Sequence, residues 1–320
     1  MDGARGANDD DAVAACQPRP QFQDCTVLCR KLTLVGVGLL GGSLGLAARR
    51  RRLAGHVEGY VRRSASLAEC ERAGAVDHAT TDLAEAVAGA DLVVLCTPVG
   101  QMHALAEAMR PSLAPGAIVT DVGSVKDSVV GELAPCLAAA GAHFVGSHPM
   151  AGAETTGVAH ARADLFEGAV CVVTPTAQTD PGALRLVEDL WQRVGGRLLR
   201  LPPGTPDEFV ARTSHLPQAL AATLVNYLLD EPGETALAAL CAGGFRDSTR
   251  IASGSPEMWR DIALANRGPL TRALAQFADR LAEFRAAIES GDAAAVTAFL
   301  ETAKRRRDDW LRQTRNNAPE

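Results

Sequence analysis

The sequence predicts an α/β protein in which a doubly wound parallel sheet comes first and an all-helical domain follows. Between Lys31 and Leu201, short runs rich in Val, Ile and Leu alternate with segments of helical length and composition. This alternation is typical of a parallel sheet that is covered by helices on both faces. After Pro206 the strand-like runs stop, and the remaining segments show the 3.6-residue periodicity of amphipathic helices.

The individual elements follow from these patterns in chain order. Strands are predicted where short apolar runs are bounded by turn residues, at Leu32–Val35, Val57–Val61, Leu92–Cys96, Ile118–Asp121, His143–Val145, Val170–Val173 and Arg197–Leu201. The helices predicted between them are Gly45–Leu53, Ala65–Ala73, Gln101–Met109, Lys126–Ala140 and Ala183–Val194. Later helices are predicted at Glu208–Leu229, Glu234–Cys241, Glu257–Ile288 and Asp292–Arg312, with breaks at Pro232–Gly233, Gly243–Gly244 and Gly254–Pro256.

The domain organisation follows from length and from one cluster of turn residues. A chain of 320 residues fits two domains. Proline and glycine cluster between Pro202 and Pro206, so we expect a sheet domain at 31–203 and a helical domain at 204–315. Residues 1–30 contain acidic residues and prolines without a basic start or a continuous apolar run, and we expect a disordered tail there.

Composition excludes several classes of function. The 32 Lys and Arg residues against 38 Asp and Glu residues give a net charge of −6, which offers no basic field for nucleic acid. Apolar runs end before the roughly 18 residues that a membrane-spanning helix needs. The 8 cysteines form no CxxC pair and share no close spacing with histidine. We therefore expect no metal site, no disulfide framework and a cytoplasmic location.

A glycine-rich segment, GVGLLGGS, lies between the first predicted strand and the first predicted helix. Gly36 permits the tight turn, Gly38 lets the backbone approach a pyrophosphate, and Gly41 lets the helix pack against the strand. With Leu39 and Ser43 they form the predicted cofactor-binding loop of a Rossmann-type domain. The phosphate is expected at the positive end of the helix.

The end of the second predicted strand bears on the choice of dinucleotide. No acidic residue stands there to bind the ribose of NAD, and the strand runs instead into Arg62 and Arg63. Two guanidinium groups suit a 2′-phosphate, so the expected cofactor is NAD(P)+, with NADP+ favoured. The alternative is that both arginines belong to the solvated surface.

Further motifs narrow the interpretation. They are TDVGSVK at 120–126, GSHPMAGAE at 146–154, TSHLPQ at 213–218, GGFRDSTRIA at 243–252 and MWRDI at 258–262. With them, the chain resembles the prephenate/arogenate dehydrogenase family of tyrosine biosynthesis from Leu32 to about Trp310. The resemblance implies oxidative decarboxylation of prephenate to 4-hydroxyphenylpyruvate, or of arogenate to tyrosine, with a nicotinamide cofactor as hydride acceptor. It also implies a homodimer formed through the helical domain.

The resemblance assigns roles on the sheet side of the site. His148 is the expected proton acceptor, in a Gly/Pro-rich turn after the fifth strand, because histidine titrates near neutral pH. Thr97 offers a hydroxyl to His148 or to the substrate, near the cofactor. Ser124 is expected on the pocket wall or beside the nicotinamide. The alternative for Thr97 is an ordinary turn residue before a proline.

On the helical side, Arg250 is the expected clamp on the ring carboxylate, because its planar fork of donors matches that group. His215 and Gln218 lie three residues apart at the start of a helix and are expected to contact substrate. Arg250 could instead pair with Asp247 or Asp261, and His215 could be a core or hinge residue.

Three other functions compete with this interpretation. A relative in secondary metabolism could act on 4-amino-4-deoxyprephenate with the same residues. A β-hydroxyacid or imine reductase shares the domain order, but it usually relies on a lysine in a helix of the second domain, and Pro206–Asp230 contains none. A non-enzymatic redox-sensing module is the third alternative, and the motifs around His148 and Arg250 argue against it.

Overall fold

The computed structural model describes residues 27–153, 155–230 and 235–316. Most of the expected tail, together with the predicted break at Pro232–Gly233, lies outside these residues. The first strand begins at Cys29, which pairs with Ala54. Regular structure therefore starts two residues before Lys31, where the sheet domain was expected to begin.

Eight strands form one sheet in the order β3-β2-β1-β4-β5-β6-β7-β8. Their bounds are β1 Cys29–Val35, β2 Ala54–Tyr60, β3 His78–Thr80, β4 Leu92–Leu95, β5 Ile118–Asp121, β6 His143–Pro149, β7 Val170–Thr174 and β8 Arg197–Arg200. The three-residue edge strand β3 was not predicted, because it is short and begins with a histidine. The other seven strands lie where the apolar runs predict them.

One pairing departs from the expected parallel sheet. Strands β6 and β7 are antiparallel, whereas every other neighbouring pair is parallel. A parallel pairing needs a crossover connection, usually an α-helix. The described part of the β6–β7 connection contains only the 3₁₀ turn Val158–His160, so the chain returns in the opposite direction.

The sheet domain contains six α-helices, α1 Leu39–Arg50, α2 Leu67–Arg72, α3 Leu83–Val87, α4 Val99–Met109, α5 Asp127–Ala138 and α6 Pro181–Arg193. They cover both faces of the sheet. On β1, Leu34 and Val35 point in opposite directions, and both are fully buried in separate apolar clusters. Trp191 anchors one cluster, and Met102 and Leu133 belong to the other. The prediction of a doubly wound α/β domain is confirmed.

The helical domain is more finely divided than predicted. Its helices are α7 Gly204–Val210, α8 Leu216–Leu229, α9 Thr235–Leu240, α10 Gly243–Thr249, α11 Pro256–Ala265, α12 Arg267–Glu289 and α13 Ala293–Asn316. A π-helical turn, Ala211–His215, joins α7 to α8. The single helix predicted at Glu257–Ile288 is wrong, because Asn266 leaves helical geometry and separates α11 from α12. None of the described helices is long and apolar enough to cross a membrane.

Candidate active site

The glycine-rich turn has the geometry that a dinucleotide requires. Gly36 has a φ of +100°, in the left-handed region that favours glycine. A Cβ on Gly41 would lie 2.0 Å from the Gly36 carbonyl oxygen, whereas a Cβ on Gly38 would meet nothing within 4 Å. Helix α1 begins at Leu39, earlier than predicted, so its first turn faces this open space. The turn therefore fits a pyrophosphate held by backbone N–H groups.

Ser43 has a partner within the protein. Its side chain is fully buried, and its Oγ accepts a hydrogen bond from the Arg162 N–H at 2.9 Å. A Cβ on the neighbouring Gly42 would lie 2.9 Å from the Val158 Cγ2 atom. The Ser43 hydroxyl thus holds the chain after Val158 against α1, and its contact with cofactor stays a prediction.

Arg62 and Arg63 lie just beyond the end of β2, and both are exposed. They occupy the same edge of the sheet as the glycine turn, because β1 and β2 are parallel neighbours that end in register. Ligands of open α/β sheets bind outside this edge. The two arginines are thus within the region where the adenosine half of a dinucleotide would lie.

Two hydroxyl side chains follow the next strands at this edge. Thr97 comes two residues after β4, and Ser124 comes three residues after β5. The hydroxyl oxygens of both are buried and have no hydrogen-bond partner among the described residues. Their hydrogen-bonding capacity is therefore unused within the described residues, and their contacts with cofactor or substrate stay predictions.

His148 lies on strand β6 rather than in the turn expected after it. Residues His143–Val145 pair with β5, and the continuation from Gly146 to Pro149 pairs with the antiparallel strand β7. The antiparallel partner extends β6 beyond the edge where the parallel pairing ends. A regular strand therefore holds His148, which restricts its position more than a loop would.

Most buried polar atoms without a partner belong to residues that the sequence predicted for the site. Among the described residues there are seven such side-chain atoms, and five of them belong to predicted residues. These five residues are Thr97, Ser124, His148, His215 and Gln218. Because buried polar groups in folded proteins are almost always hydrogen-bonded, these exceptions favour a site that binds a polar ligand. The five residues come from both domains.

A buried ion pair supports the residues of this set that belong to the sheet domain. The Asp121 carboxylate accepts hydrogen bonds from the Lys126 Nζ, from the Gly123 N–H at 2.9 Å and from the Ser147 N–H at 3.0 Å. It thus fixes the loop that carries Ser124 and the residue before His148. Burial raises the pKa of Asp121 and lowers the pKa of Lys126, because desolvation outweighs their attraction. Sequence reasoning gave this pair no role, although both residues stand in the TDVGSVK motif.

Both histidines of the site are neutral at pH 7. Burial, followed by the nearby charge of Lys126, lowers the pKa of His148 to about 3. Burial lowers the pKa of His215 to about 4. A positive charge on His215 would further lower the pKa of His148, so the two imidazoles, one from each domain, lie within electrostatic range. A neutral His148 can accept a proton.

The domains are joined beside these histidines. The Asp207 carboxylate of α7 accepts hydrogen bonds from the N–H groups of Lys126 at 2.7 Å and Asp127 at 3.0 Å, at the start of α5. Helix α11 packs on α4 so closely that a Cβ on Gly100 would lie 2.7 Å from the Asp261 Oδ2 atom. These contacts fix α7 against the start of α5, and α11 against α4.

Two cavities formed by described residues of the helical domain divide the predicted residues. His215 and Gln218 line the first cavity together with Trp259. Arg250 is exposed on the turn Arg250–Ser253 and lines the second cavity with Arg246. The described lining residues of the two cavities do not overlap. The substrate contacts of His215 and Gln218 and the carboxylate clamp at Arg250 therefore all stay predictions.

The chain matches family models over most of its length. Residues 44–200 match the model of the nucleotide-binding domain of prephenate dehydrogenase. Residues 202–302 match the model of the prephenate dehydrogenase dimerization domain.

Individual relatives agree with these matches. The cyclohexadienyl dehydrogenase of Zymomonas mobilis is 34% identical and aligns over 82% of this chain and 90% of its own length. The prephenate dehydrogenase of Bacillus subtilis is 33% identical over 87% of this chain and 75% of its own length. The solved prephenate dehydrogenase of Aquifex aeolicus, in complex with hydroxyphenyl propionate and NAD+, is 34% identical with a TM-score of 0.82, covering 88% of this chain and 98% of that one. The solved arogenate dehydrogenase of Synechocystis is 30% identical with a TM-score of 0.73, covering 88% of this chain and 99% of that one.

Proposed function

The chain belongs to the prephenate dehydrogenase family, and from this premise we propose that it oxidatively decarboxylates prephenate to 4-hydroxyphenylpyruvate with NAD(P)+ as hydride acceptor. One observation carries the proposal. Five buried polar groups, contributed by both domains, have no hydrogen-bond partner among the described residues. A small polar ligand that offers both hydrogen-bond donors and acceptors is the kind that would satisfy them.

The reaction requires little beyond orientation and one proton acceptor. Bound NAD(P)+ would supply the acceptor for the hydride of the ring carbon that bears the hydroxyl. His148 takes the hydroxyl proton on its neutral imidazole. CO₂ leaves the opposite ring carbon, its bonding electrons make the ring aromatic, and His148 returns the proton to the phenolate oxygen of the product. The Thr97 hydroxyl orients the substrate hydroxyl or His148. His215 and Gln218 bind the substrate from the helical side. Arg250 binds a carboxylate of the substrate, so Arg250→Ala should mainly raise KM for the substrate.

The experiment that tests the proposal is a set of four assays. Purified protein is mixed with prephenate or arogenate and with NAD+ or NADP+, and the absorbance of the reduced cofactor is followed. We expect turnover of prephenate with at least one cofactor. The absence of turnover in all four mixtures would contradict the proposal.

The cofactor proposed is NADP+, since Arg62 and Arg63 stand where an acidic residue would bind the ribose of NAD. We expect the double variant Arg62→Ala/Arg63→Ala to raise KM for NADP+ by about 10-fold or more and to leave KM for NAD+ nearly unchanged. The matched control is Arg72→Ala, an exposed arginine on α2. A higher kcat/KM for NAD+ than for NADP+ in the unaltered enzyme would overturn this choice.

Arogenate is the second candidate substrate, and Gln218 favours it. The buried Oε1 of Gln218 has no partner among the described residues and can only accept a hydrogen bond. The ammonium group of arogenate would supply the donor, whereas the keto group of prephenate would not. Gln218→His should therefore lower kcat/KM for arogenate more than for prephenate. Turnover of 4-amino-4-deoxyprephenate alone would indicate the third family reaction.

The partner proposed is a second copy of the chain. Helix α12 exposes Leu274, Phe277, Leu281 and Ile288, which recur at intervals of three, four and seven residues along one face. Such a stripe is unstable in water unless another helix covers it, and the matching family model is a dimerization domain. Sedimentation should show a homodimer, and Leu281→Asp should yield monomers. A monomeric unaltered protein would contradict this.

The roles of the two domains and the location of the protein are also proposed. We assign cofactor binding to residues 31–203, together with the start of β1, and dimerisation to residues 204–315. The described cysteines are free thiols, and burial raises the pKa of Cys70 to about 11. Unreactive free thiols are consistent with a cytoplasmic enzyme.

A further inference from the structure

Asn266 occupies an unusual position beside the candidate site. It interrupts the segment that sequence periodicity predicted as one helix, and it separates α11 from α12 with φ −104° and ψ 28°. Its side chain is almost fully buried. A buried amide at a helix break needs defined hydrogen-bond partners, because an unpaired amide would be costly.

The partners of Asn266 fix the orientation of its amide. The Nδ2 atom lies 2.9 Å from the backbone carbonyl oxygen of Asp207, which can only accept a hydrogen bond. The atom facing that carbonyl must therefore be the NH₂ nitrogen. The same Nδ2 lies 3.0 Å from Nδ1 of His215. Since an amide nitrogen carries two protons and has no acceptor capacity, the second proton is donated to His215.

This contact determines the tautomer of His215. An Nδ1 atom that accepts a hydrogen bond carries no proton, so the neutral ring carries its proton on Nε2. The Nε2 atom is buried without a partner among the described residues, and His215 lines the first cavity. Burial keeps the ring neutral, with a pKa of about 4. His215 therefore presents an N–H donor to whatever occupies the site and cannot act as a base there through Nε2.

Asn266 is linked to the sheet domain through Asp207. The backbone carbonyl of Asp207 accepts a hydrogen bond from the Asn266 amide. The carboxylate of Asp207 accepts hydrogen bonds from the N–H groups of Lys126 and Asp127. The orientation of His215 is thus tied to the loop of the sheet domain that carries Ser124.

We propose that Asn266 is a positioning residue that fixes His215 as the Nε2–H tautomer, so that the site offers a neutral hydrogen-bond donor to an oxygen acceptor of the substrate. Which substrate is bound rests on the proposed function, whereas the tautomer does not. The proposal divides the work of the two histidines. His148 accepts the proton, and His215 only donates a hydrogen bond.

The first test measures the tautomer in the full-length unaltered protein. Nitrogen NMR on protein labelled at its 7 histidines distinguishes protonated from unprotonated ring nitrogens, and loss of one pair of signals in His215→Gln assigns them. We expect a protonated Nε2 and an unprotonated Nδ1 at pH 7 and at pH 9. A proton on Nδ1 would overturn the proposal whether or not the protein turns over prephenate.

The second test replaces the donor by an acceptor of the same shape. In Asn266→Asp, the carboxylate facing Nδ1 should move the proton to Nδ1 at pH 9. The ring then presents a lone pair to the site. KM for prephenate should rise about 10- to 100-fold, because this is the effect of losing one hydrogen bond to a charged group. The value of kcat should change less than about threefold. The matched control is Asn226→Asp, exposed on α8, which should change neither.

A double variant separates positioning from a structural role. If Asn266 acts through His215, Asn266→Asp should raise KM no further once His215→Ala is present. An undiminished rise in the double variant, or an unchanged KM in folded Asn266→Asp, would contradict the proposal. If Asn266→Asp does not fold, Asn266→Ala takes its place, with a mixture of both tautomers and a smaller rise in KM as the expected results.

Discussion

Gly38 offers a direct test of where the dinucleotide binds. A Cβ at this position would meet no protein atom within 4 Å, and its φ of −93° lies outside the left-handed region. Gly38→Ala should therefore change the free energy of unfolding by less than about 0.5 kcal/mol. The added methyl group would instead occupy space in front of the first turn of α1, where the pyrophosphate is expected. Overpacking of that contact by about 1–3 kcal/mol corresponds to a Kd that rises roughly 5- to 150-fold.

Gly41→Ala is the matched comparison. A Cβ there would lie 2.0 Å from the Gly36 carbonyl oxygen, which is 1.4 Å closer than the 3.4 Å of an ordinary contact. The turn would have to open, so this variant should lose stability as well as cofactor affinity. Calorimetric titration with NAD+ and NADP+ measures the affinity, and thermal unfolding measures the stability. The reasoning fails if Gly38→Ala binds cofactor normally or loses as much stability as Gly41→Ala.

Three further predictions concern the supports of the site. Asp207→Ala should lower the free energy of unfolding by about 2–5 kcal/mol, because two N–H groups at the start of α5 lose their acceptor. A loss of less than about 1 kcal/mol in urea denaturation would mean that the contact is unimportant. Lys126→Met should cost about 3–5 kcal/mol by leaving Asp121 buried and unpaired, and adding Asp121→Asn should recover part of that loss in the same assay. Since burial lowers the pKa of His148 to about 3 and of His215 to about 4, only the unfolded chain takes up these protons below about pH 6.5. Each histidine should then reduce stability by up to about 1.4 kcal/mol per pH unit as the pH falls from 6.5 to 4, and equal urea midpoints at pH 7 and pH 5 would contradict this.

Local patterns were sufficient to predict much of the fold. Apolar runs located seven strands, and the glycine spacing located the dinucleotide turn, because both depend on neighbouring residues. The break at Asn266 was missed because the segment keeps helical periodicity on both sides, although Gly268 and Pro269 follow it within three residues and were a usable signal. The direction of β7 depends on the irregular connection before it, which has no periodic signal.

The candidate site, like the fold, could be predicted from the sequence only in part. The motifs indicated His148, Thr97 and Ser124, and the structure leaves polar atoms of all three buried without partners. The hydrogen bond from the backbone of a distant segment to the Ser43 hydroxyl could not be predicted, because a motif position does not reveal such a contact. The roles of Asp121 and Asp207 depend on contacts between elements far apart in the chain, which sequence spacing does not encode.

Oxidative decarboxylation of prephenate, with His148 as the proton acceptor, is the activity proposed for this protein. Its most direct test is the rate of cofactor reduction and of CO₂ release with prephenate, measured for the unaltered enzyme and for His148→Asn. We predict equal amounts of reduced cofactor and CO₂ from the unaltered enzyme. In His148→Asn, kcat should fall by about 10²- to 10⁴-fold with KM changed less than about threefold. A His148→Asn variant with near-normal kcat would contradict the assignment of His148 as the proton acceptor.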